Sequence, residues 1–328
     1  MGTKRPFGTT SDGRNATAYT IANGRGIEVT VLDYGATLQS VVLPHRGGRV
    51  DVALGYDTVE AYERNDGYVG ATIGRYAGRI PDAVLHLCGK DVPLTANEGK
   101  THLHGGKTGF DRRVWETVSL DENAVTFALL SPDGEEGCPG ALRTAVTYTL
   151  EGDTLSIVYR GDADRETCFN PTNHAYWNLN GHDSGDARGH VLELPADRYV
   201  PVGADGIPVA GETDVSGTRF DFRAPRPIRG AYDNSFVLSG GPIRLFGELG
   251  IGMEIRTDCR AVQVYNAQYL QKRVGKGGAI YRPFCAACLE TQGRQAQRGL
   301  PLSEENILTR PGFSGTRTTG FRFLYGEE

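Results

Sequence analysis

The stretch Phe169–Gly181, FNPTNHAYWNLNG, sets one histidine, His174, among short polar side chains and the aromatics Tyr176 and Trp177. Histidine is the side chain whose ordinary pKa lets it give or take a proton near neutrality. Aromatic faces beside amide groups suit a sugar ring, which has apolar C–H faces and a rim of hydroxyls. Taken alone, the stretch reads equally well as a buried histidine at the end of a strand. A partner for proton transfer comes from Ala287–Gln292, ACLETQ, where Glu290 follows an apolar run. Burial raises a carboxyl pKa and makes the group a better proton acceptor near neutral pH. Tyr232-Asp233-Asn234 offers another inward carboxylate, with a plain Asx turn as the rival reading.

Two further motifs bear on charge and metals. In His102-Leu103-His104-Gly105-Gly106, a strand would put both histidines on one face at a spacing that suits a metal. No carboxylate is close by, and a metal would need distant partners such as His174 and Glu290. A metal-free acid–base site is therefore the preferred reading. In Ile73–Ile80, IGRYAGRI, small residues flank Arg75 and Arg79. Such flanks allow a tight backbone that aims a guanidinium inward to hold a hydroxyl or steady negative charge. A solvated surface pair remains the alternative.

Other patterns exclude chemistry. Gly106-Lys107-Thr108 imitates the end of a phosphate loop, but position 101 holds Thr101 where the motif requires glycine. Cys285 and Cys288 form a C-x-x-C in a segment read as a strand, where residues three apart point to opposite faces. With no second C-x-x-C, the cysteines Cys88, Cys138, Cys168, Cys259, Cys285 and Cys288 read as reduced structural thiols of a cytoplasmic protein. The net charge of −5 argues against a nucleic-acid surface. The N-terminus lacks the apolar core of a signal peptide, and no run approaches membrane-spanning length.

The elements that must position these groups read as strands. Ile27–Leu32, Leu38–Leu43, Ala124–Leu130, Leu142–Leu150, Leu155–Tyr159, Arg260–Tyr265 and Ala287–Leu289 are rich in β-formers. Asp-Gly pairs at 12–13, 66–67, 133–134 and 205–206 punctuate them as turns. The 45 glycines point the same way. Helical periodicity is confined to Thr58–Arg64 and a single turn at Glu304–Ile307. Without long amphipathic helices between strands, a doubly wound α/β fold is disfavoured. The expectation is an all-β protein, one large antiparallel β-sandwich domain over residues 1–328 with few short helices.

Taken together these segments resemble the aldose 1-epimerase (galactose mutarotase) family. The matching elements are YGATLQSVVLP, GATIGRYAGRI, THLHGGKTGFDRRVWE, NPTNHAYWNLNGH, YDNSFVL, VQVYNAQYL, CLETQ and LTRPG, in family order along nearly the whole chain. The resemblance implies a sandwich with a sugar-binding cleft and interconversion of the α and β anomers of a free aldose, without cofactor or metal. By motif position, Glu290 is implied as the base that takes the anomeric hydroxyl proton and His174 as the acid that protonates the ring oxygen. His104 and Arg79 match positions that hold substrate and steady charge. Asp233 matches a carboxylate, and Gln263 an amide, that bind sugar hydroxyls. The implied partner is a monosaccharide, with neither nucleic acid nor membrane, for a monomer or homodimer. A repurposed enzyme of this fold and a non-catalytic carbohydrate-binding protein are the alternatives.

Three departures concern the substrate. Gly78 stands where the family usually has asparagine, Asn266–Tyr269 replaces T-G-N-F, and Gly293–Pro301 replaces an aromatic-Pro-Asp segment. Loop drift explains them as well as a changed substrate does. On the second reading, Arg294 and Arg298 would meet an anionic group on a modified sugar.

Overall fold

The computed structural model describes residues 2–64, 67–308, 311–312 and 314–326. Asp66 of one expected turn and Thr309-Arg310 of the LTRPG motif lie outside the described residues. The largest sheet is antiparallel and nine-stranded. Its central hairpin pairs Leu142–Glu151 with Thr154–Ala163, and the late strand Gly315–Leu324 pairs with the latter. Burial alternates residue by residue along this hairpin, one face on the core and one in water, as a half-covered antiparallel sheet requires.

Two five-stranded sheets complete the sandwich. The N-terminal one is a meander from Thr3–Thr9 to Gly48–Asp51. The other runs Thr213–Asp214, Ala196–Tyr199, Asp233–Leu238, Ala261–Tyr265 and Cys288–Gln292 in spatial order. Val31 and Leu38, Val146 and Ile157, and Val264 and Leu289 come from the three sheets and share one buried apolar cluster. The fold is the expected β-sandwich. Its α-helix Val59–Glu63 lies inside Thr58–Arg64, with the Thr58 hydroxyl accepting from the Ala61 N–H at its start. No helix among the described residues is long and apolar enough to cross a membrane.

Alternation fails where it matters most for function. Every residue of Ala261–Tyr265 and of Cys288–Gln292 is buried. One face, with Val262, Val264 and Leu289, joins the core. The other, with Gln263, Tyr265, Glu290 and Gln292, forms the floor of a cleft.

A buried lysine ties this half of the chain to the N-terminal sheet. Lys276 Nζ donates to Asp51 Oδ2 (2.5 Å) and to the carbonyls of Gln39 (2.9 Å) and Ala53 (2.8 Å). All three ammonium donors are thereby used, which offsets its desolvation. Replacing Lys276 with Met strands the Asp51 carboxylate, so K276M is expected to cost about 3 kcal/mol. Urea unfolding checks this: the midpoint should fall with the slope unchanged.

Candidate active site

The strands around the floor bring three polar positions, Asp233, Gln263 and Glu290, onto one face in two adjacent rows. Asp233 lies opposite Tyr265, and Gln263 lies opposite Glu290. With a side-chain period of two, alternate residues of these strands face the same cleft, whose volume is about 520 Å³. His174, His104 and Arg79 line it too, so the six residues that the resemblance implies for the site lie in one cavity.

His174 directly follows the short strand Thr172–Asn173. Its backbone is held at both ends, the N–H on the Ala71 carbonyl (2.9 Å) and the carbonyl on the Gly70 N–H (2.8 Å). Its ring lies against that of Tyr176, centroids 5.1 Å apart and 16° from parallel, with Tyr68 stacked at 6.1 Å. Nε2 is 3.7 Å from Glu290 Oε1. Both side chains are at most 5% exposed. Among the described residues His174 Nδ1 and Glu290 Oε2 have no hydrogen-bond partner, leaving hydrogen-bonding capacity for a ligand.

Burial shifts the two groups in opposite directions. It lowers the His174 pKa to about 4 and raises that of Glu290 well above the carboxylate range. For Glu290 the Asp233 charge adds to the rise and Arg79 opposes it. Burial thus favours a neutral imidazole beside a neutral carboxylic acid, one proton shared by the pair.

Arg79 is inward. Its guanidinium grips Glu98 through Nε (2.6 Å) and Nη2 (2.9 Å), and Nη1 lies 3.5 Å from Asp233 Oδ2. Burial works against its charge, but Glu98 and Asp233 outweigh burial and keep its pKa above the usual arginine value. Asp233 begins a strand rather than an Asx turn, and accepts from Gln263 Nε2 at 2.6 Å. Arg75, by contrast, is buried away from the cleft, donating to Ser131, Thr167 and the carbonyls of Pro132 and Pro139. It braces the loops.

The two histidines of His102-Leu103-His104 do not share a strand face. The strand ends at Leu103, and His104 turns into left-handed backbone at φ +52°. His102 instead points to the Thr95 carbonyl (Nδ1, 2.8 Å) and stays structural. Gly105 permits the turn: a Cβ there would stand 1.9 Å from the Gly74 carbonyl oxygen, and its φ is +90°.

His104, His174 and Glu290 offer ligand atoms within 4.8 Å of one another, a spacing compatible with a metal. The tautomer of His104 argues otherwise. Its Nδ1 accepts the Gly78 N–H at 3.2 Å, so the neutral ring carries its proton on Nε2 and has no free lone pair for an ion. The trio fits hydrogen bonding to oxygen better than ligation. Burial, then the neighbouring His174 and Arg79, holds His104 well below the usual histidine pKa and keeps the ring neutral.

Some cleft residues carry no strong sequence signal. Glu98 is an acidic residue in a turn, Gln292 the end of a strand, and Gln295 one amide in a loop that departs from the family pattern. The arginines of that loop do not reach the cleft. Arg294 Nε lies 3.8 Å from Glu212, and Arg298 meets Asp205 (3.1 Å) and Asp82 (3.6 Å) near the surface. Cys285 precedes the strand that holds Cys288, which corrects the placement of both in one strand. All six cysteines are free thiols, and only Cys88 is exposed.

Comparison with known proteins gives the family and the fold. The aldose 1-epimerase family profile matches residues 17–314. An aldose 1-epimerase of Haemophilus influenzae is 39% identical over 86% of this chain and 87% of its own. The human galactose mutarotase is 36% identical over 90% of this chain and 91% of its own. Among solved structures, a GalM/aldose epimerase homologue from C. elegans superposes with a TM-score of 0.87 at 30% identity, over 94% of this chain and 98% of that one. A galactose 1-epimerase from Lactobacillus acidophilus also reaches 0.87, at 27% identity over 100% and 99%. The chain belongs to the aldose 1-epimerase family.

Proposed function

We propose that this isomerase interconverts the anomers of a neutral free aldose, with Glu290 and His174 as its proton-transfer pair. The observation that carries the reading is the 3.7 Å approach of these two groups in a cleft otherwise lined by hydroxyl-binding side chains and aromatic rings. In the closed-ring complex, Glu290 as carboxylate takes the proton from the anomeric hydroxyl while His174 as imidazolium gives one to the ring oxygen. The bond from the anomeric carbon to the ring oxygen breaks, and the aldehyde forms. Rotation about the adjacent carbon–carbon bond and the reverse transfers close the ring on the other face.

Ring opening leaves Glu290 protonated and His174 neutral, the same pattern that burial favours. The proton count of the pair is unchanged throughout, so no proton need enter from bulk water. Arg79, His104, Asp233 and Gln263 act as the substrate-holding groups, with His104 donating through Nε2. Because Arg294 and Arg298 are engaged with carboxylates at the surface, the site offers no free cation from that loop to a sugar acid or phosphate. This favours a neutral monosaccharide. A cytoplasmic setting fits the six free thiols, and we place the enzyme there as a monomer or homodimer.

The pH profile of kcat/KM tests the shared proton. Below about pH 4, His174 takes up a second proton and the pair has no base. Above the raised Glu290 value, the pair loses its only proton and has no acid. Activity on α-D-galactose, followed by polarimetry, should therefore show an acid limb near pH 4 and an alkaline limb at the raised Glu290 value. An acid limb near the ordinary histidine value of about 6.5 would contradict it.

A further inference from the structure

Gly78 has φ +90°, and a Cβ built there would stand 2.8 Å from Gln295 Nε2. The Gln295 amide therefore fills the volume that a side chain at position 78 would take. It also faces the cleft, only 8% exposed, and donates through Nε2 to Gln263 Oε1 at 3.0 Å. Gln263 in turn donates to Asp233 Oδ1 at 2.6 Å. The three side chains form a directed chain of hydrogen bonds, and each amide has one possible orientation within it.

The backbone around Gln295 is held on both sides. The Gly293 N–H donates to Asn170 Oδ1 (2.7 Å), and the Arg294 N–H to Glu305 Oε1 (2.7 Å). The Ala296 N–H donates to the hydroxyl of the fully buried Tyr76 (2.6 Å). These bonds fix the backbone from which the Gln295 side chain turns inward.

We propose that Gln295 is a specificity-determining residue of the aldose site. It locks Gln263 with its N–H₂ group toward Asp233, and it presents its own remaining N–H and carbonyl to a hydroxyl of the sugar. The choice of substrate then rests on a neutral amide from the loop, not on the arginines beside it. A ligand carrying a carboxylate in that position would face Asp233 and Glu98 across the same wall. This inference rests on the mutarotase reading above.

The test uses Gln295→Met, which keeps the volume over Gly78 and removes both polar atoms. Mutarotation of D-galactose, D-glucose and their deoxy analogues is followed by polarimetry, with calorimetric binding of each sugar in parallel. KM and Kd should rise about tenfold for the sugars that bear the matched hydroxyl, with kcat held within about twofold and the pH profile unmoved. A deoxy analogue lacking that hydroxyl should show no change, so selectivity narrows. The double variant Gly78→Asn/Gln295→Ala moves the amide across the cleft, because asparagine tolerates positive φ better than most residues, and should recover part of the affinity. Equal KM and Kd ratios across the panel, or a loss confined to kcat, would overturn the assignment of Gln295. A wild-type protein that binds these sugars without accelerating any of them would instead overturn the catalytic reading, while the calorimetric ratios still decide the role of Gln295.

Discussion

Replacing Glu290 with glutamine is expected to lower kcat for mutarotation about 10²–10⁴-fold with little change in KM. Glutamine has the same shape, so the floor of the cleft and its register with Gln263 persist. What disappears is the acceptor for the anomeric proton, because an amide cannot take it up near neutral pH. The same change should raise thermal stability. Because burial raises its pKa, Glu290 keeps its proton to higher pH in the folded protein than in the unfolded chain, so it costs stability as pH rises above the unfolded value. An inactive variant that melts at higher temperature than the parent is the combined signature, read by polarimetry and differential scanning calorimetry. Loss of activity with loss of stability would point to a structural carboxyl instead.

The second large effect belongs to His174. His174→Ala removes the acid at the ring oxygen and should lower kcat by a similar factor of about 10²–10⁴. It also opens a space beside the rings of Tyr68 and Tyr176, both of which stack on the imidazole. Added imidazole fits that gap, so part of the lost rate should return in proportion to its concentration. The acid limb near pH 4 should vanish from the variant and reappear at the pKa of free imidazole in the rescued reaction. No rescue, with the acid limb retained, would move the acid role to another residue.

Much of this architecture can be read in the chain because a half-covered strand writes its burial into alternating residue types. The hairpin Leu142–Glu151 and Thr154–Ala163 is the clear case. Ala261–Tyr265 and Cys288–Gln292 are buried on both faces, so polar residues stand where alternation would predict solvent. Glu290 is legible in the sequence as that anomaly and as a motif match, and Gln263 as a motif match alone. The expectation for His102 and His104 failed on backbone conformation: one left-handed residue at 104 ends the strand and separates two side chains that extended geometry would align. Gln295 was hidden for another reason. Charge drew attention to Arg294 and Arg298, yet their guanidinium groups remain half exposed near surface carboxylates, while the uncharged residue between them turns inward. Glu98 was hidden in a turn whose acidic residue reads as solvated until Arg79 is seen beside it.

The account depends on Glu290 and His174 acting as one unit that passes a single proton pair through the sugar. A polarimetric double-mutant cycle on fresh α-D-galactose, comparing the parent, Glu290→Gln, His174→Ala and the double variant, measures this directly. Two groups that work only together should give a double variant about as slow as the slower single variant, far from the product of the two losses. Near-parental rates in either single variant, or losses that multiply in the double, would contradict it.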